Sequence, residues 1–300
     1  MERIRLSETL ELSRIIQGLM RLTSWSFSKV ELLHHLESLI DLGVTSFDIA
    51  DIYGDYTCEE LLGESLNLNP SLRSEIQIIT KCGIKITSDK YPERKIKHYD
   101  TSKEHIITTV NNSLRKLGTD YLDLLLIHRP DPFMDPEEVS EAFNILYKSG
   151  KVLNFGVSNF KPSSFNLLQK YSRFSLVTNQ IEISPLNLRA FRDGTIELCQ
   201  EYEIPPMAYS PLAGGRLFNT SSEEAINVCQ KLEEIAMSRG LSNLDTVVYA
   251  FLLSHPAKIL PVVGTRSIER VKHAILALDY KLSREEWFEI YTAGLGKSVD

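Results

Sequence analysis

Short apolar runs alternate with longer segments of helical periodicity along the whole chain. The runs are rich in Val, Ile and Leu, and most are continuous rather than strictly alternating, which is typical of strands buried on both faces of a parallel sheet. Eight such runs predict strands at residues 14–18, 44–50, 76–81, 121–128, 152–159, 176–181, 206–210 and 259–264.

Polar residues between these runs mark the starts of helices. SKVE (28–31) and TSKE (101–104) have the pattern of a capping box, in which the first and fourth residues satisfy each other's backbone N–H groups. DPEE (135–138) places Asp at the N-cap and Pro at the first helical position. The three predicted helices end before glycines, at Gly43, Gly118 and Gly150.

Eight strand–helix units in 300 residues, with no linker between halves, predict a (β/α)₈ TIM barrel as a single domain over residues 1–300. The N-terminal IRLSETLELS alternates like a small antiparallel β-hairpin, which we expect at the bottom of the barrel. A doubly wound sheet is the alternative fold, but no G-x-G-x-x-G motif follows the first predicted strand.

Composition excludes several classes of function. The net charge of −7 argues against nucleic-acid binding through a broad basic face. The N-terminal MERIRLSETLELSR is charged throughout, unlike a signal peptide, and the longest apolar run, LDLLLI, is far shorter than the roughly 20 residues of a membrane span. We therefore expect a cytoplasmic protein with no nucleic-acid or membrane partner. The cysteines have no zinc-binding spacing and are expected to be reduced thiols: Cys58, Cys82, Cys199 and Cys229.

Polar residues follow three consecutive predicted strands. Asp48 ends the second strand, and Tyr53 lies in the loop beyond it, within SFDIADIYG (46–54). Lys81 ends the third strand and His128 ends the fourth. Taken singly they have ordinary explanations, as a helix cap, a packed aromatic, a solvated lysine and a core histidine. A barrel brings the carboxyl ends of its strands to one rim, so we expect the four side chains to meet.

These four residue types have complementary chemistry. A tyrosine hydroxyl has a pKa of about 10 and is a poor proton donor near neutrality, but an adjacent lysine cation stabilises the phenolate and lowers that pKa. Asp48 would keep Lys81 charged in a poorly solvated mouth. His128 would hydrogen-bond a carbonyl oxygen and orient it toward the Tyr53 hydroxyl. The set therefore predicts the reduction of a carbonyl group.

The chain resembles the aldo-keto reductase superfamily, in its compact bacterial oxidoreductase branch, over nearly its whole length. The matching segments are FDIADIYG, the lysine of IITK, YLDLLLIHRPD, GKVLNFGVSNF, TNQIEISPL, MAYSPLAGGRL and PVVGTRSIER. The resemblance implies a (β/α)₈ barrel that transfers hydride from NADPH to an aldehyde or ketone without a Rossmann motif. It also implies Tyr53 as general acid, Lys81 and Asp48 as its tuning pair, and His128 as the residue that orients the carbonyl.

The resemblance further implies the residues that bind NADPH. Ser158, Asn159 and Gln180 would hold the carboxamide, Tyr209 would stack on the nicotinamide, and SPLAGGR (210–216) would run along the pyrophosphate. The complete expected set of cofactor contacts is Gly18, Met20, Arg21, Asp48, Ser158, Asn159, Gln180, Tyr209, Ser210, Pro211, Leu212, Gly214, Arg216, Gly264, Thr265, Arg266 and Arg270.

Within GTRSIER, the resemblance implies that Thr265 and the following helix start form an anion site, where Arg266 and Arg270 clasp the 2′-phosphate and favour NADPH over NADH. Many relatives carry Glu-Asn where this chain has His273 and Ala274, so the contacts with adenine differ. A phosphate-binding lysine found in some branches is replaced by Gly264.

The substrate is expected to be a small carbonyl compound in contact with Trp25, Tyr53 and His128, bordered by Tyr56 and the loop 82–100. The resemblance implies a monomer. Two other functions stay open at this point. One is a cofactor-binding regulatory or redox-sensing barrel with little turnover. The other is a metal-dependent hydrolase, which requires clustered histidines and carboxylates on several strand ends, where only His128 is found.

Overall fold

The computed structural model describes residues 1–219 and 222–299. Its strands are β1 (Arg3–Arg5), β2 (Glu11–Ser13), β3 (Ile16–Gly18), β4 (Ser46–Asp48), β5 (Gln77–Cys82), β6 (Ile84–Lys85), β7 (His98–Tyr99), β8 (Leu124–Ile127), β9 (Phe155–Ser158), β10 (Leu176–Glu182), β11 (Met207–Tyr209) and β12 (Leu260–Val263). Eight parallel strands form a closed barrel in the order β3, β4, β5, β8, β9, β10, β11 and β12. The predicted (β/α)₈ fold is confirmed.

Helices follow most of the barrel strands. They are α1 (Leu22–Trp25), α2 (Lys29–Asp41), α3 (Tyr53–Tyr56), α4 (Cys58–Leu66), α5 (Lys103–Leu117), α6 (Pro136–Lys148), α7 (Pro162–Tyr171), α8 (Thr195–Glu201), α9 (Glu223–Ser238), α10 (Leu244–Leu253), α11 (Ile268–Leu276) and α12 (Arg284–Leu295). Short 3₁₀ helices cover Pro70–Ser74, Arg189–Phe191, Ala213–Phe218 and Ala277–Asp279. No helix of the described chain is both long and apolar enough to cross a bilayer.

The chain divides into two compact units, Met1–Asn179 and Gln180–Asp300. The expectation of one domain over residues 1–300 stays a prediction. All eight predicted strands exist, but most are shorter than their apolar runs. The apolar pattern follows burial rather than hydrogen-bond pairing between strands. Val44 and Ile49 illustrate this, since both are fully buried although they lie outside β4.

The helix starts follow the predicted chemistry with one correction. Ser28 and Glu31 form the capping box of α2, and the Asp135 carboxylate accepts the Glu137 N–H at the start of α6. The TSKE motif does not form a capping box. The N-cap of α5 is Ser102, whereas the Thr101 hydroxyl donates to Asp131 Oδ2 at 2.9 Å. The helix therefore starts one residue later than the motif implies.

The N-terminal hairpin covers the amino ends of the strands in the first unit. β1 and β2 are antiparallel, with Arg3 opposite Ser13. Arg3 donates from Nη1 to Thr45 Oγ1 at 2.6 Å and from Nη2 to Gln77 Oε1 at 2.9 Å. Ser13 donates its backbone N–H to Ser46 Oγ at 2.9 Å. The hairpin therefore lies at the bottom of these strands, away from their carboxyl ends.

Aromatic stacking anchors the last helix of the second unit. Trp287 on α12 stacks on Phe251, with ring centroids 4.8 Å apart, and on Tyr291 at 5.2 Å. The Trp287 indole N–H also donates to the Phe251 carbonyl at 3.0 Å. This packing ties α12 to α10. The four cysteines are buried and form no disulfide within the described chain.

Candidate active site

The first unit brings together the four predicted catalytic residues. Lys81, on β5, donates from Nζ to both oxygens of Asp48, at 2.8 and 2.9 Å. The same ammonium donates to the Ile49 carbonyl at 2.7 Å and lies 3.3 Å from Tyr53 Oη. The ring of His128, just after β8, packs edge-on against the Tyr53 ring at 5.8 Å. The strand ends thus converge as the barrel geometry predicts.

The charge of Lys81 depends on its partners. Its side chain is fully buried and that of Asp48 is 5% exposed. Burial alone lowers the pKa of a lysine, but the charges of Asp48 and Tyr53 outweigh it, so that the pKa of Lys81 is raised above its ordinary value. The side chain is therefore an ammonium ion in direct contact with the tyrosine hydroxyl.

His128 is a neutral imidazole. Its burial, together with the nearby charges of Lys81, Arg129 and Lys97, holds the pKa of His128 well below the usual value. Its Nδ1 atom is buried and has no hydrogen-bond partner among the described residues. A neutral imidazole carries one N–H donor and one acceptor, so it can hydrogen-bond an oxygen without carrying charge.

The turn after Tyr53 leaves no room for a side chain at Gly54. Gly54 has φ +58°, in the left-handed region. A Cβ there would lie 2.4 Å from Thr23 Cγ2 and 2.7 Å from Cys58 Sγ. Glycine is required both by the backbone conformation and by the close approach of its neighbours. The position of Tyr53 is therefore set by a tightly packed turn.

Several predicted cofactor residues follow strands of the first unit. Ser158, the last residue of β9, is 1% exposed. Asn159 follows with φ +63°, and its Nδ2 donates to Ser158 Oγ at 2.8 Å. Gly18 ends β3, and after it Met20 and Arg21 are exposed. These residues lie at the carboxyl ends of strands, where a cofactor could reach them. Their contacts with the cofactor stay predictions.

Trp25, an expected substrate contact, is only 5% exposed. Its ring packs edge-on against Phe27 at 5.9 Å and His35 at 5.5 Å. Tyr56, expected to border the pocket, is 7% exposed and packs edge-on against Tyr91 of the loop 82–100. Substrate contact by Trp25 stays a prediction.

Other predicted cofactor residues lie within β10 or at and after the end of β11, in the second unit. Gln180 lies within β10 and is 2% exposed, and Tyr209 ends β11. The next residue, Ser210, has φ +51°. Arg216 donates from Nε to the Ala213 carbonyl at 3.0 Å, and its exposed guanidinium lies 3.7 Å from Glu182. The predicted residues Pro211, Leu212 and Gly214 lie in the same turn.

The segment after β12 forms an exposed helix start. Gly264 is exposed, and Thr265 Oγ1 accepts the Ser267 N–H at 3.1 Å. Ser267 caps α11 by accepting the Arg270 N–H at 3.4 Å, and Arg266 is exposed. The side chain of Arg270 is also exposed, as an anion site at this helix start requires.

The two positions that depart from the family pattern have different surroundings. The Nδ1 atom of His273 lies 2.9 to 3.0 Å from the carboxylate oxygens of Asp245. Ala274 is fully buried. His273 therefore has a partner within the second unit.

Sequence reasoning missed two features around the four predicted catalytic residues. The Ile49 carbonyl accepts a hydrogen bond from Lys81, and no residue type could reveal it because every residue carries a carbonyl. Asp51 and Glu59 are buried carboxylates whose pKa values are raised, mainly by burial. A buried Asp and Glu have no signal in a single sequence. Within the described ranges, no three His, Cys, Asp or Glu side chains could hold a metal ion.

The family model described as "Aldo/keto reductase family" matches residues 14–293. The chain belongs to this family. Among curated relatives, "Uncharacterized oxidoreductase YcsN" of Bacillus subtilis (strain 168) is 52% identical over 299 residues and covers 100% of both chains. "6-dehydroglucose reductase" of Agrobacterium fabrum is 45% identical over 300 residues, also covering 100% of both chains.

The fold is likewise similar to a solved member of the family. That solved structure is of a thermostable aldo-keto reductase, Tm1743, in complex with the inhibitor epalrestat. It superposes with a TM-score of 0.82 at 26% identity and covers 98% of this chain and 100% of that one. The family therefore accounts for the barrel, for carbonyl reduction in general and for a small-molecule substrate.

Proposed function

We propose that this protein is an NADP-dependent reductase that converts an aldehyde or ketone to an alcohol, with Tyr53 as the proton donor. One observation carries the proposal. A fully buried lysine, held as an ammonium by Asp48, lies 3.3 Å from the Tyr53 hydroxyl. A buried cation at that distance favours the phenolate and makes proton release from Tyr53 easier.

Each of the four side chains has its own role in the proposed reaction. NADPH, when bound, supplies a hydride to the carbonyl carbon. Tyr53 gives its proton to the carbonyl oxygen, and Lys81 stabilises the phenolate that remains. Asp48 keeps Lys81 charged, and the neutral His128 hydrogen-bonds the substrate oxygen. Tyr53 is half-buried, so its phenolate regains a proton from water.

The residues after β11 and β12 fit a cofactor with phosphate groups. Ser210, Ala213, Gly214 and Gly215 all have positive φ, and a tight turn of this kind lets a phosphate group approach the backbone closely. Nothing lies within 4 Å of a Cβ built at Gly264. Arg266 and Arg270, beside the capped start of α11, supply the positive charge that a 2′-phosphate needs.

The proposed cofactor contacts are those that the family resemblance implies. Asp48, Ser158, Asn159, Gln180 and Tyr209 would lie at the nicotinamide end of the cofactor, and the residues after β11 and β12 would bind its phosphates. The whole chain is proposed to be one reductase domain, which the family match over residues 14–293 supports. We also propose that it is a cytoplasmic monomer. A single cooperative unfolding transition and a monomeric elution volume would test this.

The name of one relative suggests a first class of substrate. The 45% identical relative from Agrobacterium fabrum is named a 6-dehydroglucose reductase. We therefore propose that sugars oxidised to aldehydes belong in the first substrate panel.

The experiment measures NADPH consumption by the purified protein with 4-nitrobenzaldehyde, 6-dehydroglucose and simple ketones, with NADH in parallel. Turnover with NADPH and formation of the alcohol would support the proposal. If NADPH binds but no carbonyl compound is reduced, the protein is better described as a regulatory or redox-sensing barrel. Added chelator should leave turnover unchanged, and loss of activity would favour a metal-dependent reaction.

A further inference from the structure

The loop 82–100 is anchored to the first unit rather than loosely attached. Its strands β6 and β7 pair in antiparallel fashion, and Lys85 forms an ion pair with Asp100 at 2.5 Å. Lys90 and Arg94 also form hydrogen bonds, with Asp55 and Tyr56 respectively. Lys95 is exposed and makes no ion pair or hydrogen bond among the described residues. Lys85, Lys90 and Arg94 therefore help to attach the loop.

The loop covers the short element α3 (Tyr53–Tyr56), whose backbone is a left-handed turn rather than a regular helix. Gly54, Asp55 and Tyr56 have φ values of +58°, +52° and +64°. Left-handed conformations are costly for residues other than glycine, and they persist only where the surroundings hold them. Asp55 and Tyr56 therefore need contacts that keep the turn in this shape.

The backbone of the turn is held by two lysines. Lys90 donates from Nζ to the Asp55 carbonyl at 2.6 Å and to Thr57 Oγ1 at 2.8 Å. Lys116, on α5, donates to the Tyr56 carbonyl at 3.0 Å. Charged donors make stronger hydrogen bonds than neutral ones, which suits them to hold a strained turn.

The side chain of Tyr56 is held mainly by Arg94. The Tyr56 hydroxyl oxygen accepts hydrogen bonds from Arg94 Nη1 at 2.5 Å and from the Ile86 N–H at 3.3 Å. The Arg94 guanidinium also lies 3.6 Å from the centroid of the Tyr91 ring. The Arg94 side chain is only 13% exposed. A guanidinium buried in this way cannot act mainly to attract substrates from solution.

The held turn is covalently continuous with Tyr53. The Thr57 N–H donates to the Tyr53 carbonyl at 3.1 Å, and the Tyr56 N–H donates to the Ile52 carbonyl at 3.3 Å. Relaxation of Tyr56 to a right-handed conformation would shift the segment that carries Tyr53. The 3.3 Å contact between Tyr53 Oη and Lys81 Nζ would then be lost first, because it is the longest of the ammonium's contacts.

We propose that Arg94 is a positioning residue for Tyr53 that acts through its hydrogen bond to Tyr56. This inference rests on the proposed function, since it assumes that the Tyr53 hydroxyl is the proton donor. The contacts of Arg94 in the structure are with Tyr56, Tyr91 and Glu93. It keeps the left-handed turn in place, so that Tyr53 Oη stays beside the Lys81 ammonium.

The test measures three variants: Arg94→Gln, Tyr56→Phe and the double variant that carries both changes. Their control is the single variant Lys95→Gln. The last variant removes the same charge from an exposed position of the same loop. Small misplacements of a reacting group cost up to about 100-fold in rate, so kcat should fall roughly 10- to 100-fold in both single variants. KM for NADPH should stay within about two-fold, because the contact does not involve the cofactor. The double variant should be no slower than the slower single variant, and Lys95→Gln should match the wild type.

A further variant, Arg94→Lys, separates geometry from charge. Lysine keeps the charge but lacks the planar fork that hydrogen-bonds Tyr56 while it stacks on Tyr91. We expect Arg94→Lys to be impaired like Arg94→Gln. Full activity of both Arg94→Lys and Tyr56→Phe would overturn the proposal, because neither the guanidinium nor the hydroxyl that it binds would then be needed to position Tyr53. Tyr56→Phe keeps the ring packing and removes only the hydroxyl that Arg94 binds. If the Arg94 variants do not fold, the kcat of Tyr56→Phe tests the proposal.

The kinetic results distinguish an error in the role of Arg94 from an error in the proposed function. If wild-type protein reduces carbonyls, Tyr53→Phe does not, and Arg94→Gln and Tyr56→Phe keep full kcat, then only the positioning role is overturned. If wild-type protein has no turnover, or Tyr53→Phe keeps it, both proposals fall.

Discussion

Replacement of Lys81 by methionine removes the ammonium but keeps most of the side-chain volume. Asp48 then loses two hydrogen bonds, of 2.8 and 2.9 Å, in a site where its side chain is 5% exposed. A buried ion that loses its partner destabilises a protein by about 3–5 kcal/mol. We therefore expect Lys81→Met to lower the free energy of unfolding by about that amount.

The assay is denaturant unfolding of Lys81→Met, Asp48→Asn and the double variant. Either single change leaves one buried charge without its partner, whereas the double change removes both charges. The loss in the double variant should thus be smaller than the sum of the single losses by about 2–3 kcal/mol. kcat should stay low in all three variants.

The matched control is Lys85→Met, which breaks the more exposed ion pair with Asp100, the residue after β7. Because both side chains are about a quarter exposed, this change should cost no more than about 1 kcal/mol. Strict additivity of the Asp48 and Lys81 losses would refute the reasoning, since the two charges would then not stabilise each other.

Three further predictions concern the turn, the imidazole and the cofactor. Gly54→Ala should lower the melting temperature, with a cost of at least about 1–3 kcal/mol, because its Cβ would meet Thr23 and Cys58 at a left-handed φ; an unchanged melting temperature would contradict this. Burial and nearby charge lower the pKa of His128, so the unfolded chain binds the proton more tightly, and unfolding free energy should fall as the pH drops below about 6.5. His128→Gln should flatten that slope in parallel denaturant titrations, and an identical slope would show that His128 does not contribute. Arg270→Ala should weaken NADPH binding about 10-fold and leave NADH nearly unchanged in fluorescence titrations, whereas equal losses would argue against a 2′-phosphate contact.

The barrel and the cluster of Asp48, Tyr53, Lys81 and His128 were accessible from the sequence because both follow from local patterns. Buried parallel strands appear as continuous apolar runs, and Asp48, Lys81 and His128 each stand where such a run ends. The ends of the strands were less accessible. Ile49 is as apolar as the strand before it, and only the backbone shows that β4 stops at Asp48.

Contacts between distant segments were not accessible. The bond between Arg94 and Tyr56 joins a loop to a turn 38 residues away, and a single sequence carries no sign of that pairing. The choice of Ser102 over Thr101 as a helix cap likewise depended on a tertiary contact, because Asp131 binds the threonine hydroxyl. Such features require coordinates.

The central claim is that the Tyr53 hydroxyl, beside the Lys81 ammonium, delivers the proton to the carbonyl oxygen. The most direct measurement is the turnover of Tyr53→Phe with NADPH and a reducible aldehyde, together with its affinity for NADPH. The account predicts a loss of kcat of at least about 100-fold with NADPH affinity nearly intact. A Tyr53→Phe variant that keeps most of its activity would contradict it.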